Sequence, residues 1–483
     1  MKRWSLAIGV AVITVAACGG GGGGVVSSGG GVPSPEPTAD ATPKNILFFL
    51  GDGMGMTTMT AARIYKVGED GELTMDTLPE TAFIKTFSKN SQVADSAPTM
   101  AAYMTGVKMD NEVVSMTAET TSYDKDTLKD FAVGADSTCA ASNGKPVTTL
   151  LELAKTAGMG TGVVSTARIT HATPAATYAH ICHRDGENTI ANQMVPGGAG
   201  FNVALGDGID VVLGGGLRHF LAKGTGSSRT DTRDLVAEMK AKGYNYAANK
   251  TEFDKLPTSG KLLGLFTGSH MAYDLDRDAA KEPSLAEMTS RSIDQLKSNP
   301  KGFFLMVEGG RIDHALHETT ARKALQDTVA FDDAIKAAIS KMKLIDPTLK
   351  NTLIVVTADH DHTLVLNGYA ARTGKTTETN PGILGLMRKY EDNTLALDSS
   401  GFPFTTIGFG NGENRPLTRT ALTDAMVFDK NYHQEAAIPT AAGSETHGGA
   451  DVFLGAIGRG ADTFGGVLDN TAVFGLIRKA MGL

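Results

Sequence analysis

The side chains of this 483-residue chain that can do chemistry fall in short clusters, far apart in sequence. Asp52 lies in Gly51-Asp52-Gly53-Met54-Gly55, and Asp359, His360, Asp361 and His362 are consecutive. Glu308, Asp313, His314 and His317 form a third group, His171 and Thr173 a fourth, and His447 stands in Glu445-Thr446-His447-Gly448-Gly449. Carboxylates and imidazoles gathered in one interior site are an uncompensated cluster of charge unless cations sit among them. Nitrogen and oxygen ligands suit zinc, whereas carboxylate and hydroxyl oxygens suit magnesium. Ser96, in Asp95-Ser96-Ala97-Pro98-Thr99-Met100, precedes a helical stretch that it can cap. Beside two cations the same hydroxyl can instead ionise and attack phosphorus, with the helix N-terminus favouring an anion. Taken singly, each motif has a plainer reading: Gly-Asp-Gly as a turn, Asp313 with His317 as an exposed ion pair, His447 as a surface residue.

The elements that must position these groups supply the convergence. From Asn45, short β-rich runs alternate with helical stretches, which predicts a parallel sheet covered on both faces. The clearest strands are Ile46–Leu50, Gly162–Ser165, Ile209–Leu213, Phe303–Val307 and Leu353–Thr357, nearly all apolar, as strands buried on both sides should be. Ligands bind such sheets outside the carboxyl ends of the strands, and four of these five runs lead directly into one of the clusters. Helices are expected at Met56–Tyr65, Val147–Ala157, Leu285–Leu296 and Ala315–Met342. Between Thr363 and Ser444 periodicity gives way to Gly, Thr, Asn and Pro, the mark of an insertion.

Composition narrows the class further. Forty-five basic against 53 acidic residues give a net charge of −8 without a basic block, which argues against a nucleic-acid surface. Lys2 and Arg3 precede a mostly apolar run, Ser5 to Ala17, too short to span a bilayer. Residues 1–17 therefore read as a signal peptide. Val15-Ala16-Ala17-Cys18 resembles the bacterial lipoprotein signal, in which the cysteine is lipidated; the alternative is plain cleavage after Ala17 and secretion. Residues 18–43, rich in Gly, Ser and Pro, read as a tether ahead of a folded unit, 44–483. The sole tryptophan, Trp4, lies in the removed segment, which disfavours a sugar-binding or membrane-interface module. Cys139 and Cys182 are consistent with a disulfide in an exported protein or with two unpaired thiols.

The ordered set Gly51-Asp52-Gly53-Met54-Gly55, Asp95-Ser96-Ala97, Val307-Glu308-Gly309-Gly310-Arg311-Ile312-Asp313-His314, Thr357-Ala358-Asp359-His360 and Glu445-Thr446-His447 resembles the alkaline phosphatases over nearly the whole folded chain. The resemblance implies a three-layer α/β/α sandwich around a largely parallel sheet, with residues 363–444 as an inserted crown-like region. It implies a homodimer with two zinc ions and one magnesium ion per chain, hydrolysing phosphate monoesters through a phosphoserine. Asp313, His317 and His447 would hold the first zinc. Asp52, Asp359 and His360 would hold the second beside the nucleophile Ser96, and Asp52, Thr173 and Glu308 the magnesium. Arg184, in His180-Ile181-Cys182-His183-Arg184, matches the arginine that grips phosphate, and its planar fork suits two phosphate oxygens. His171 and His314 stand where many bacterial members carry Asp and Lys. Neutral His171 should hold magnesium less firmly and admit zinc. Thr267 replaces a Glu of the vertebrate calcium site, although Glu282 keeps a ligand downstream.

Two rivals remain at this stage. One is a sulfatase or phosphodiesterase on the related fold; a sulfatase would carry Arg where Ser96-Ala97-Pro98-Thr99-Met100 has Met100, and that departure, with Arg184 and the ligand set, favours phosphomonoesters. A non-catalytic, metal-binding surface lipoprotein would have no use for Ser96.

Overall fold

A computed structural model describes residues 44–483. The expected signal peptide, the tether and Cys18 lie outside the described residues. Ten strands form the central sheet: β1 (Lys44–Gly51), β2 (Glu80–Lys85), β3 (Gly160–Arg168), β4 (Val211–Gly215), β5 (Tyr244–Ala247), β6 (Lys261–Leu265), β7 (Gly302–Gly309), β8 (Thr352–Ala358), β9 (Val452–Gly458) and β10 (Gly466–Asp469). Their order is β10-β2-β9-β8-β1-β7-β3-β4-β6-β5. β1 lies between β8 and β7, parallel to both, with Ile46 opposite Leu353 on one side and Phe304 on the other. Every residue of β1, β7 and β8 is buried, because helices cover both faces. Only β9 runs against its neighbours, pairing antiparallel with β8 and β2.

On one face Ala321–Ile345 packs against Leu285–Leu296 and Met56–Val67; on the other, Ser96–Thr105 packs against Ala172–Tyr178 and Asn470–Met481. All five predicted strands are present, and Leu285–Leu296 has the predicted bounds. Two helices differ. The single helix expected over Ala315–Met342 is two, Arg311–His317 and Ala321–Ile345, broken where Thr319 takes a left-handed φ of 55°. That break lets the short helix turn its last residue toward the strand ends while the long one follows the sheet. The helix expected from Val147 begins at Leu150, because Thr149 caps it in a reciprocal box with Glu152.

The stretch 363–444 holds a small separate sheet of Leu364–Leu366, Ile407–Gly412 and Ala436–Pro439. It leaves and rejoins the main body through a two-residue antiparallel pairing of Asp361–His362 with His447–Gly448. Cys139 and Cys182 form a disulfide, with Cα atoms 6.0 Å apart.

Candidate active site

The carboxyl ends of β1, β7 and β8 lie side by side, so Asp52, Glu308 and Asp359 meet although some 250–300 residues separate β1 from the other two. The backbone after β1 must pass very close to the segment after β8. Gly53 has a φ of 66°, and a Cβ there would sit 2.5 Å from His362 Nε2; one on Gly55 would collide with Asp361. Hence the glycines of Gly51-Asp52-Gly53-Met54-Gly55. Ser96 opens a ten-residue helix whose cap is Asp95, which accepts the Ala97 N–H at 2.8 Å. That cap aims Ser96 Oγ at the cluster, 3.2 Å from Asp52 Oδ1 and 3.1 Å from His360 Nε2.

The carboxylates share one pattern. Asp52 accepts from Ser96 through one oxygen, Asp359 accepts the Gly53 and His360 N–H groups through one, and Glu308 accepts the Ser165 hydroxyl through one. Their other oxygens, Asp52 Oδ2, Asp359 Oδ2 and Glu308 Oε1, are buried without a hydrogen-bond partner. Burial pushes Asp52 up to about 7, reinforced by the Asp313 charge, and burial with Asp52 pushes Asp359 up to about 7. Glu308 is driven well above the carboxylate range by burial and then by Asp52. Buried acceptors without donors call for cations.

The imidazoles share a complementary pattern. His447 Nδ1 meets Ala94 O at 2.8 Å, His360 Nδ1 meets Asp361 O at 3.2 Å, and His317 Nδ1 meets Glu445 O. A backbone carbonyl at Nδ1 selects the tautomer that leaves the Nε2 lone pair facing the cluster. Asp313, one helical turn before His317, has Oδ1 3.2 Å from His317 Nε2 and 3.5 Å from His447 Nε2; those two nitrogens are 3.2 Å apart. Asp359 Oδ2 and Asp52 Oδ1 lie 3.6 and 3.3 Å from His360 Nε2. The Thr173 hydroxyl is buried beside Glu308. Asp52, His171 and Glu308 also converge, each with one ligand atom within 4.8 Å of the others.

Arg184 lies next to this cluster, its Nη1 3.1 Å from Asp95 Oδ1 and its Nη2 2.8 Å from His171 Nε2. Burial and then Arg184 hold His171 well below the usual imidazole range; burial holds His314, whose ring centroid is 5.3 Å from that of His171, down at about 3. Thr267 and Glu282 are spent locally, the one donating to Ser269 O and the other accepting the Ala272 N–H.

Sequence reasoning assigned no role to His362 or His270. His362 bridges Asp313 Oδ1 at 2.9 Å and Glu445 Oε2 at 2.6 Å. Burial opposes its charge, yet Glu445 and Asp313 raise it to about 10, so it donates from both nitrogens and orients Asp313. The Asp-His-Asp-His alternation carried that signal, since extended residues two apart share a face. The His270 ring packs at a tilt against His314, centroids 4.0 Å apart, and nothing in its Gly-Ser-His context announced it.

A serine set on a helix start among carboxylates that each keep one oxygen bare defines a class: hydrolases that attack phosphorus with help from metal ions. The comparisons make the class particular. The alkaline phosphatase family model matches residues 43–483. The tissue-nonspecific alkaline phosphatase of Rattus norvegicus is 37% identical over 465 residues, covering 88% of this chain and 81% of the relative. The alkaline phosphatase of Gadus morhua is 38% identical over 459 residues, with 88% of each chain covered. Among solved structures, Thermus thermophilus alkaline phosphatase aligns with a TM-score of 0.64 and 25% identity, over 92% of this chain and 93% of that one. Alkaline phosphatase from the Antarctic bacterium TAB5 shares the fold, with a TM-score of 0.62 and 23% identity over 91% of this chain and 98% of that one. This chain belongs to the alkaline phosphatase family, and it is a metal-dependent phosphomonoesterase.

Proposed function

We propose that the enzyme works through a phosphorylated Ser96 and that its resident metals are two zinc ions and one magnesium ion. The observation that carries the metals is the convergence of carboxylates, three of them with a buried oxygen that has no partner, and imidazoles whose Nε2 atoms face Asp313, Asp52 and Asp359. Four ligands about 2.05 Å from a tetrahedral zinc lie about 3.3 Å from one another. The Asp313–His317–His447 triangle, with edges of 3.2 to 3.5 Å, supports a first zinc. Asp52, Asp359 and Ser96, at 3.1 to 3.6 Å from His360 Nε2, support a second. Asp52, Thr173 and Glu308 are an oxygen set of the kind magnesium takes. Bound there, the cations would lower the pKa of the Ser96 hydroxyl and offset charge on the phosphoryl oxygens.

The chain's own residues do the rest. Ser96 Oγ, aimed by its hydrogen bond to Asp52 and by the helix start, attacks phosphorus as the ester oxygen leaves; a Ser–O–P bond replaces the ester bond, and the proton lost from the hydroxyl ends, by way of solvent, on the departing alcohol. Water then attacks the phosphoserine, releasing inorganic phosphate and restoring the hydroxyl. Arg184 holds two phosphoryl oxygens with its fork, and Asp95 braces both that arginine and the helix carrying Ser96.

The test compares p-nitrophenyl phosphate, p-nitrophenyl sulfate and a bis ester, with and without chelator, alongside metal analysis of the purified protein. The expected result is monoester hydrolysis that chelation abolishes, with zinc and magnesium near two and one per chain. Faster turnover of the sulfate or the bis ester would overturn the reading. We also propose that Cys18 is lipidated, holding the enzyme on the bacterial cell envelope (periplasm or outer membrane), and that the chain forms a homodimer. The lipoprotein-like start and the family resemblance support these. Among the described residues no helix is long and apolar enough to cross a membrane.

A further inference from the structure

Arg184 reaches the site from an irregular segment, residues 179–186, between the helices Ala172–Tyr178 and Glu187–Met194. Its Nη1 and Nη2 are engaged by Asp95 and His171, and these are the nitrogens a phosphate takes in a forked grip. Side-chain contacts are therefore shared or surrendered when phosphate binds, and the aim of the guanidinium then depends on where its backbone is held. His180 is tied to Gln193, Ser115 and Glu152, and nearer the arginine Ile181 and Val114 exchange N–H···O bonds of 3.0 Å each way while Arg184 N donates to Glu112 O at 2.8 Å. Between them, fully buried Cys182 is bonded to Cys139. Cys139 follows the hairpin Ala132–Val133 and Asp136–Ser137, which is held to the helix after the arginine segment and to Thr230. The Asn188 N–H donates to Ala135 O at 2.8 Å, and Asp136 accepts from Asn188 and Thr230 at 2.9 Å each.

We infer that the Cys139–Cys182 disulfide is a positioning device for Arg184, fixing the arginine segment against a hairpin held at Asn188 and Thr230; the inference rests on Arg184 being the phosphate-gripping residue. A guanidinium set about 1 Å out of place loses much of a forked hydrogen-bond pair while the metal ligands stay where they are.

The test is a Cys139→Ser/Cys182→Ser double variant made in the wild-type and in the Arg184→Ala backgrounds, with free thiols counted in the parents. Reduction and capping of the folded holoenzyme gives the same comparison if the variant does not fold. The readouts are KM, kcat, inhibition by inorganic phosphate, and zinc and magnesium content. In the wild-type background KM and the phosphate inhibition constant should rise about fivefold, with kcat changing less and metal content unchanged. In the Arg184→Ala background the same change should leave both constants where Arg184→Ala put them. Equal fold-changes in the two backgrounds, or none in the wild type, would overturn the inference. Wild-type phosphate inhibition in Arg184→Ala itself would instead remove the reading of Arg184 on which it rests.

Discussion

Replacing His171 by Asp tests how the third metal set is tuned. His171 shares a cluster with Asp52 and Glu308 whose ligand atoms lie within 4.8 Å of one another, and burial with Arg184 keeps its imidazole neutral. A carboxylate at that position adds a negative charge about 5 Å from a divalent cation, worth about 3 kcal/mol at an effective dielectric constant of about 40. Arg184 Nη2, 2.8 Å from His171 Nε2, will pair with the new carboxylate and take roughly half of that. The remainder, about 1.5 kcal/mol, corresponds to about tenfold tighter magnesium binding. The same pairing draws the fork away from phosphate, so phosphate inhibition should weaken. His314, whose ring centroid lies 5.3 Å from that of His171, is the residue to change with it, and His314→Lys paired with His171→Asp should make the tightening cleaner. The assay is a magnesium titration of metal-stripped protein refilled with zinc, read by metal retained after equilibrium dialysis, on the wild type, His171→Asp and His171→Asp/His314→Lys. Equal midpoints for all three proteins would refute the claim that these histidines tune the site.

Ser96→Ala should abolish a trappable phosphoenzyme and lower kcat by at least about 10³-fold, with metal content near wild type, since Ser96 is one of several groups around His360 Nε2; labelled phosphoenzyme at wild-type yield would reassign the nucleophile. Asp327 is buried and its carboxyl pushed up to about 8, by burial and then by Asp274, so folding takes up a proton between about pH 4 and 8 and stability falls as pH rises through that window. Asp327→Asn should therefore gain about 1–2 kcal/mol on the wild type between pH 5 and pH 9, and a constant difference in denaturation midpoint across that range would contradict this. Cys18→Ala should move the protein from the membrane to the soluble fraction with activity unchanged; unaltered fractionation would favour a plain signal peptide.

Much of this site was legible because its ligands follow the most apolar strands, where composition and position agree. Glu308 is the last residue but one of β7 and Asp359 follows β8 directly, so finding the strand found the candidate ligand. The break at Thr319 was hidden because apolar spacing continues across it; a left-handed Thr is set by tertiary contacts, such as the Gln434 N–H donated to its carbonyl, and leaves no pattern in sequence. β9 reads like any buried strand, and only its place between β8 and β2 reverses it. The cystine was open for a similar reason: the distance between Cys139 and Cys182 is a property of the fold around them.

The crown-like stretch leaves and rejoins the catalytic body through a closed neck. Asp361 and His362 pair with Gly448 and His447, and the Thr363 N–H donates to Glu445 Oε1 at 2.8 Å. With its ends joined by the body itself, the excursion can lengthen at small entropic cost, about 0.6 kcal/mol for each doubling of a flexible loop. At the neck the rings of His360 and His447 stack 3.5 Å apart, although the whole crown lies between them in sequence. Because the neck closes on itself, a change of length within the crown need not disturb the register of the candidate ligands on either side.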